Sequence, residues 1–373
     1  MLPETLPSMN TKSAKPRITR HPDGIFAVDA EYVRPGYAAV HIIQHNGRAA
    51  FVDTGTNHSV PHLLAALEEL GIARDAVDYV LLTHVHLDHA GGAGLLCDHL
   101  PNARVLIHPR GVAHMVDPSK LVAASQGVYG VEAFRKLYGD VLPVPQDKVV
   151  SVTDNYRCDL GGRELLLIHT PGHALHHYAI VDRKHSAIFA GDTFGVSYRA
   201  LDTPQGAFIV VTSSPSQFDP DQLTASIDRM MSYEPESIYL MHFSRVTGTP
   251  RLAAMLKSQI REFVRIAQES AAQPDAHNFI RMAMMEMWLE LLRQQMPNEV
   301  RLLYNLGMAY TGLGRLEEAA ARFQEGAQHR EHLGVVVDRQ DVRRRCPGLY
   351  QQGGHGFEDL GWGHGFTQKA APT

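Results

Sequence analysis

From Ile25 the chain sets short apolar runs against polar breaks, a pattern that predicts β-strands. Residues 25–28, 38–43 and 49–53 are the first three runs. Asn46-Gly47, between the second and third, is the dipeptide that a tight hairpin turn favours. Residues 61–70 carry apolar positions at helical spacing, with Ser59 as the expected cap and Gly71 as the stop. A strand over 79–82 then runs directly into Thr83-His84-Val85-His86-Leu87-Asp88-His89. Helix is predicted for 95–100, strand for 104–107, and helical or irregular cover for about 111–139. Strands over 149–152, 164–168, 178–181 and 187–190 precede a helix near 221–231 and a strand over 238–241. Strands that first cluster and then alternate with helices imply an α/β architecture of two mixed sheets covered by helices.

Beyond Pro250 only helical spacing remains, over 252–272 and 279–295. The segment 300–328 places Leu306, Gly307, Tyr310, Ala319 and Phe323 where a tetratricopeptide repeat would. Such repeats need neighbours to bury their faces, so a single unit reads as a helical hairpin that packs on the main domain or across a homodimer. The expected organisation is a flexible arm over 1–22, a main domain over 23–250, a helical C-terminal region over 251–350, and a flexible Gly-rich tail over 351–373.

Composition narrows the function classes. The 35 Lys+Arg against 40 Asp+Glu leave a formal charge of −5, which disfavours nucleic acid or an anionic membrane as the partner. No apolar stretch approaches 18 residues, and the N-terminal residues lack an apolar signal core, so a cytoplasmic protein is expected. Cys97, Cys158 and Cys346 are too scattered for a disulfide framework or a thiolate metal site. Histidine is the unusual count, at 22.

His84, His86, Asp88 and His89 fall within six residues at a strand end. Three imidazoles and an acid contribute no core there, whereas imidazole and carboxylate are ligands for zinc, iron and manganese. If the strand persists, alternation puts His84, His86 and Asp88 on one side; a turn at Ala90-Gly91-Gly92 lets His89 swing in as well. Three more blocks share the form of a polar residue just past an apolar run: His169-Thr170-Pro171-Gly172-His173, Gly191-Asp192-Thr193, and His242 after residues 238–241. Sites concentrate at such strand ends, where the sheet is rigid and the loop is accessible.

These blocks, THVHLDHAGG (83–92), HTPGH (169–173), GDT (191–193) and a strand-terminal His242, resemble the metallo-β-lactamase superfamily over about residues 25–245. The resemblance implies an αββα sandwich of two mixed sheets with outer helices, with the helical C-terminal extension added to it. It implies two divalent metal ions, zinc first and iron as the alternative. His84, His86 and His173 would hold one ion, Asp88, His89 and His242 the other, and Asp192 both. His176-His177 after the HTPGH block is similar to a subgroup near the oxygen-binding diiron proteins. His177 is expected to support the ligands from behind or to pack within a strand, lining the site or orienting a ligand being the alternative, and Asp53 to brace the His84–His89 loop from behind. His169 and the dispersed His41, His45, His58, His62, His99, His108, His114 and His185 read as structural.

Paired metals lower the pKa of a bridging water, and the resulting hydroxide attacks an electrophilic carbonyl without an activated side-chain nucleophile. No G-x-S-x-G elbow or P-loop competes with that chemistry. The expectation is a dinuclear hydrolase acting on a small carboxyl ester, lactone or thioester, with Asp88 also orienting the water and Tyr198 or His177 as the leaving-group acid. Two rivals are a diiron oxygen-binding or redox protein and a scaffold that binds a protein through the helical C-terminal region.

Overall fold

Alternating side chains divide each strand between two faces, and the computed structural model buries both. It describes residues 15–214, 217–296, 321, 322 and 325. Seven strands form the first sheet in chain order: β1 (Ile18–His21), β2 (Ile25–Asp29), β3 (Ala39–His45), β4 (Arg48–Val52), β5 (Val77–Leu81), β6 (Arg104–Ile107) and β7 (Val149–Ser151). Pairing is antiparallel through β4 and parallel from β4 to β7. The second sheet runs β13 (Ser244–Val246), β12 (Ser237–Leu240), β11 (Ala187–Gly191), β10 (Tyr178–Asp182), β9 (Arg163–His169) and β8 (Tyr156–Leu160), with β11 and β12 parallel and the rest antiparallel. The parallel pairs require crossovers, which the helices supply.

The two apolar clusters show the alternation at work. Val40, Ile42, Phe51, Val80 and Val105 face outward, where they pack with Leu63 and Leu67 of α1 (Val60–Leu70) and Leu96 of α3 (Ala93–His99). Their neighbours Ile43, Ala50, Leu81 and Leu106 face inward, against Leu165, Leu167, Ile180 and Phe189 of the second sheet. This is the αββα sandwich of two mixed sheets. A short helical turn α2 (Leu87–Ala90) follows β5, and α4 (Val112–Val116), α5 (Ser119–Tyr129) and α6 (Val131–Tyr138) fill the stretch between β6 and β7. On the second sheet's side, α7 (Pro220–Met231) buries Leu223, Ile227 and Met230. Helices α8 (Thr249–Ser270) and α9 (Ala276–Gln295) form the C-terminal extension.

Chain contacts divide the protein into two units, 1–202 with 206–261, and 203–205 with 262–373. In the second unit Phe263 meets Trp288 edge to face at 6.0 Å, and Thr203 Oγ1 donates to Gln295 Oε1 at 3.0 Å. The repeat-like segment 300–328 lies outside the described residues except for Ala321, Arg322 and Glu325, as does the tail 351–373. No helix among the described residues is long and apolar enough to cross a membrane.

Three features depart from the sequence reading. Residues 18–21, placed in the arm, pair with β2 as an edge strand that an apolar pattern does not mark. Ser59 does not cap α1 through its side chain; its hydroxyl donates to Ala30 O and accepts from Thr56 N, holding the loop before the helix. The strand ending at Leu81 does not persist through the histidines, because the chain turns into α2.

Candidate metal centre

The first sheet delivers four of the predicted side chains from one loop. His84 and His86 precede α2, and Asp88 and His89 lie on it. Asp53, at φ +61° directly after β4, sits behind that loop. Its carboxylate accepts from Thr83 N at 2.8 Å, from Thr83 Oγ1 at 2.9 and 3.0 Å, and from His89 Nδ1 at 2.8 Å. Thr54 adds two bonds to His89 O, from its N–H at 2.7 Å and its hydroxyl at 3.0 Å. Gly91 and Gly92 have ordinary right-handed backbone, φ −61° and −86°, so the expected permissive turn is not their role. A Cβ on Gly92 would fall 2.7 Å from Thr56 O: glycine is required there for close approach of two loops.

The second sheet delivers the other three from separate strand tips. His173 follows β9, Asp192 follows β11, and His242 follows β12. Behind them lies His177, fully buried, whose Nε2 accepts from Asp192 N at 3.2 Å. Its Nδ1 therefore carries the proton and faces Thr170 Oγ1 at 2.8 Å and Thr193 Oγ1 at 3.0 Å. Gly191 has φ +48°, and a Cβ on it would sit 2.6 Å from His177 Nε2, so glycine alone lets that imidazole reach the Asp192 backbone.

The hydrogen bonds behind each imidazole decide where its lone pair points. Thr83 Oγ1 gives its proton to Asp53, so it accepts from His84 Nδ1 at 3.1 Å. Thr212 Oγ1 gives its proton to Asp192 O at 2.9 Å, so it accepts from His173 Nδ1 at 3.0 Å. His242 Nδ1 donates to Tyr37 O at 2.9 Å, and His89 Nδ1 to Asp53. All four thereby turn Nε2 inward, and in His84 and His173, whose charged form burial disfavours, that nitrogen is unprotonated.

The inward atoms converge. His84 Nε2 and His173 Nε2 lie 2.9 and 3.1 Å from His86 Nδ1. Two of these nitrogens are lone pairs, and His86 Nδ1 can either donate a proton to them or, with its own lone pair inward, join them in holding a cation. Asp88 Oδ2 is 3.3 Å from His242 Nε2 and 3.9 Å from His89 Nε2. Asp192 stands between the groups, with Oδ2 3.6 Å from His173 Nε2 and Oδ1 3.2 Å from His89 Nε2. His84, His86 and His173 make one potential ligand triad, Asp88, His89 and His242 a second, and His84, His89 and Asp192 a third linking them. His89 Nε2 and Asp192 Oδ1 are buried 3.2 Å apart, and neither makes a hydrogen bond of good geometry with the other or with any further group. Orphaned polar atoms are costly inside a protein, and a divalent cation at this nitrogen and oxygen donor set satisfies both.

Electrostatics separate the triads. Burial, reinforced by the surrounding imidazoles, pushes His84 well below the ordinary histidine range, and burial takes His173 down to about 4. Burial also opposes charge on His89, but Asp192, Asp53 and Asp88 outweigh it and raise that imidazole well above its usual value. Asp88 is desolvated too, yet His89 and His242 hold its carboxyl down at about 2.

All seven predicted side chains are thus brought together. His177 and Asp53 lie behind them, and His169 lies elsewhere, bonded to Val152 O at 3.3 Å and tilted against the His108 ring. Sequence reasoning missed Thr212 and the Tyr37 carbonyl, because neither residue belongs to a motif. Of a wall of phenols beside Asp88 and His242 it named Tyr198 and missed Tyr32, Tyr37 and Tyr138. Tyr138 stacks on Tyr32, Tyr32 abuts Tyr37, and Tyr37 stacks on Tyr198 while touching His242 edge-on at 5.6 Å.

A profile of the metallo-beta-lactamase superfamily matches residues 33–242. A metallo-beta-lactamase fold-containing protein of Sulfurisphaera tokodaii is 27% identical over 231 residues, covering 59% of this chain and 78% of that protein. A hydroxyacylglutathione hydrolase of Aeromonas hydrophila is 30% identical over 155 residues, covering 41% of this chain and 45% of that protein, less than half its length. An acyl-coenzyme A thioesterase of Gallus gallus is 27% identical over 180 residues, covering 45% and 62%. Among solved structures, an archaeal metallo-beta-lactamase superfamily protein from Sulfolobus tokodaii superimposes with a TM-score of 0.53 at 25% identity, covering 73% of this chain and 98% of its own. A family-wide sequence match spanning the site and a shared fold agree with the strand-tip cluster: the chain belongs to the metallo-β-lactamase superfamily.

Proposed function

We propose that the chain is a metal-dependent hydrolase with two divalent ions, acting on a small carboxyl ester, lactone or thioester. The observation that carries this reading is the bridging position of Asp192, with one oxygen toward each triad and the far nitrogens of His84, His89, His173 and His242 tied down. His84, His86 and His173 would hold one ion, Asp88, His89 and His242 the other, and Asp192 both, zinc or iron being the metals this donor set suits. When bound, such a pair makes a water acidic near neutral pH and polarises a substrate carbonyl.

The chain's own groups supply the rest. Asp88, ionised at neutral pH, is both a ligand and an acceptor able to orient the attacking water. Burial and the Tyr37 phenol push Tyr198 above the ordinary tyrosine range, so it remains an O–H donor beside Asp192. It can therefore hydrogen-bond to the leaving group. Asp53 and His177 keep the ligands aimed so that little reorganisation accompanies reaction. Similarity to proteins named hydroxyacylglutathione hydrolase and acyl-coenzyme A thioesterase supports the thioester among the three substrate classes.

The test is a metal titration of chelator-stripped protein with zinc, iron and manganese, followed by assays on thioester, lactone and ester panels. Hydrolysis that rises with the second equivalent of metal supports the proposal. Metal binding without turnover of any panel member contradicts it.

A further inference from the structure

The loop between β2 and β3 is built as a fixed platform. The Asp29 carboxylate accepts from Glu31 N at 3.0 Å and from Gly36 N at 2.7 Å, closing the loop on itself. Glu31, Val33 and Gly36 all have positive φ, at 52°, 60° and 72°, a conformation that only such closure holds in non-glycine residues. The far end is tied to the metal centre through His242 Nδ1 on Tyr37 O and through Ala39 N on Met241 O at 2.7 Å.

On that platform Arg34 is exposed, and its guanidinium lies over two rings, 5.5 Å from the Tyr37 centroid and 5.9 Å from that of Tyr198. Those rings are themselves stacked, 5.2 Å apart with 22° between planes. Among the described residues Arg34 has no carboxylate within ion-pair distance and no side-chain hydrogen bond, unlike Arg48, Arg163 and Arg199. A guanidinium seated over aromatic faces, with no carboxylate partner, can turn its planar fork of N–H donors to a ligand, the geometry that suits a carboxylate or phosphate. The inner end of the same wall meets His242, and its phenols feel the charges of Asp88 and Asp192. A cation thus stands at one end of a short aromatic strip whose other end is the reaction centre.

We propose that Arg34, with Tyr37 and Tyr198, is the subsite for an anionic group, a carboxylate or phosphate, carried by the substrate a short distance from the scissile bond. This inference rests on the hydrolase reading above, because it names what that substrate carries. The rings seat the intervening apolar atoms, and the fixed loop spares the ordering cost of an exposed arginine.

Two matched pairs of thioesters test it. S-acetyl-N-acetylcysteine and S-acetyl-N-acetylcysteamine differ by a carboxylate; S-acetyl-4′-phosphopantetheine and S-acetylpantetheine differ by a phosphate. The wild type is expected to favour the charged member of at least one pair by about tenfold in kcat/KM, through KM, as one charge-assisted contact supplies. Arg34→Ala is expected to remove that preference, and the exposed Arg157→Ala to keep it. Which pair responds identifies the anion. Calorimetry with the non-hydrolysable thioethers S-methyl-N-acetylcysteine and S-methyl-4′-phosphopantetheine gives a reading independent of turnover. The affinity for one of them is expected to fall about tenfold in Arg34→Ala. Equal charged-to-neutral ratios in wild type and Arg34→Ala, with unchanged thioether affinity, overturn the subsite. If the wild type cleaves none of the four thioesters, the thioester reading fails by itself, while thioether binding still decides the subsite.

Discussion

The two sheets brace their shares of the site by different chemistry. The first uses one buried carboxylate: Asp53 alone takes the Thr83 backbone, the Thr83 hydroxyl and the His89 ring, and through Thr83 it fixes His84. The second sheet's ligands are held by neutral groups, with His177 on the Asp192 backbone, Thr212 on His173 and, from the first sheet's β2–β3 loop, the Tyr37 carbonyl on His242. Ionised acceptors make hydrogen bonds roughly twice as strong as neutral ones. The first sheet's half therefore depends on one residue, and the second sheet's half on several separate contacts.

Variants can break or sharpen that contrast. Asp192→Ala, which removes the group shared by both halves, is expected to reduce kcat/KM by about a thousandfold or more in steady-state assays, since it disturbs both triads at once. A residual activity near wild type would remove Asp192 from its bridging role. Asp53→Ala is expected to cost about a hundredfold in metal affinity or activity, the upper end for a residue behind a ligand. His177→Ala should cost nearer tenfold, because Thr212 and the chain ends of β11 still hold Asp192. Equal losses in these two variants would erase the difference between the sheets. His169→Ala is expected to retain at least a tenth of the activity, since it faces His108 and not the cluster.

A pH experiment separates the packing between the sheets from the centre itself. His41 lies between Phe189, Tyr239 and Ser244, and burial, with the neighbouring His21, pushes it down to about 3. Its folded form prefers the neutral ring, whereas the unfolded chain takes a proton near pH 6.5. Its contribution is therefore complete above about pH 6.5 and lost as pH falls toward 3. Between those limits one such group gives a slope of about 1.4 kcal/mol per pH unit. Urea unfolding of wild type and His41→Phe from pH 7 to 4 should show the shallower slope in the variant. Parallel curves would show that His41 does not carry that dependence.

Much of this was legible in the chain. The alternating runs around Val40, Phe51 and Val80 marked strands because both faces of each are buried and apolar. The ligands were legible because each sits immediately past such a run. What escaped were elements made by pairing rather than by pattern: β1 has exposed Thr19 and Arg20 on an edge, and β13 is three residues long. Thr212 acts through a partner 20 residues away in sequence, and Tyr37 reaches one 205 residues away. No local spacing encodes such contacts. The roles of Ser59 and Gly92 were misread for a related reason, since both serve contacts between loops rather than the turn or cap beside them.

The central claim is most directly tested by anomalous diffraction at the zinc edge from crystals of the zinc-loaded protein. Two peaks about 3.5–4 Å apart are expected. One should touch His84, His86 and His173, the other Asp88, His89 and His242, and Asp192 should touch both. A single peak, or Asp192 in contact with neither ion, would contradict it.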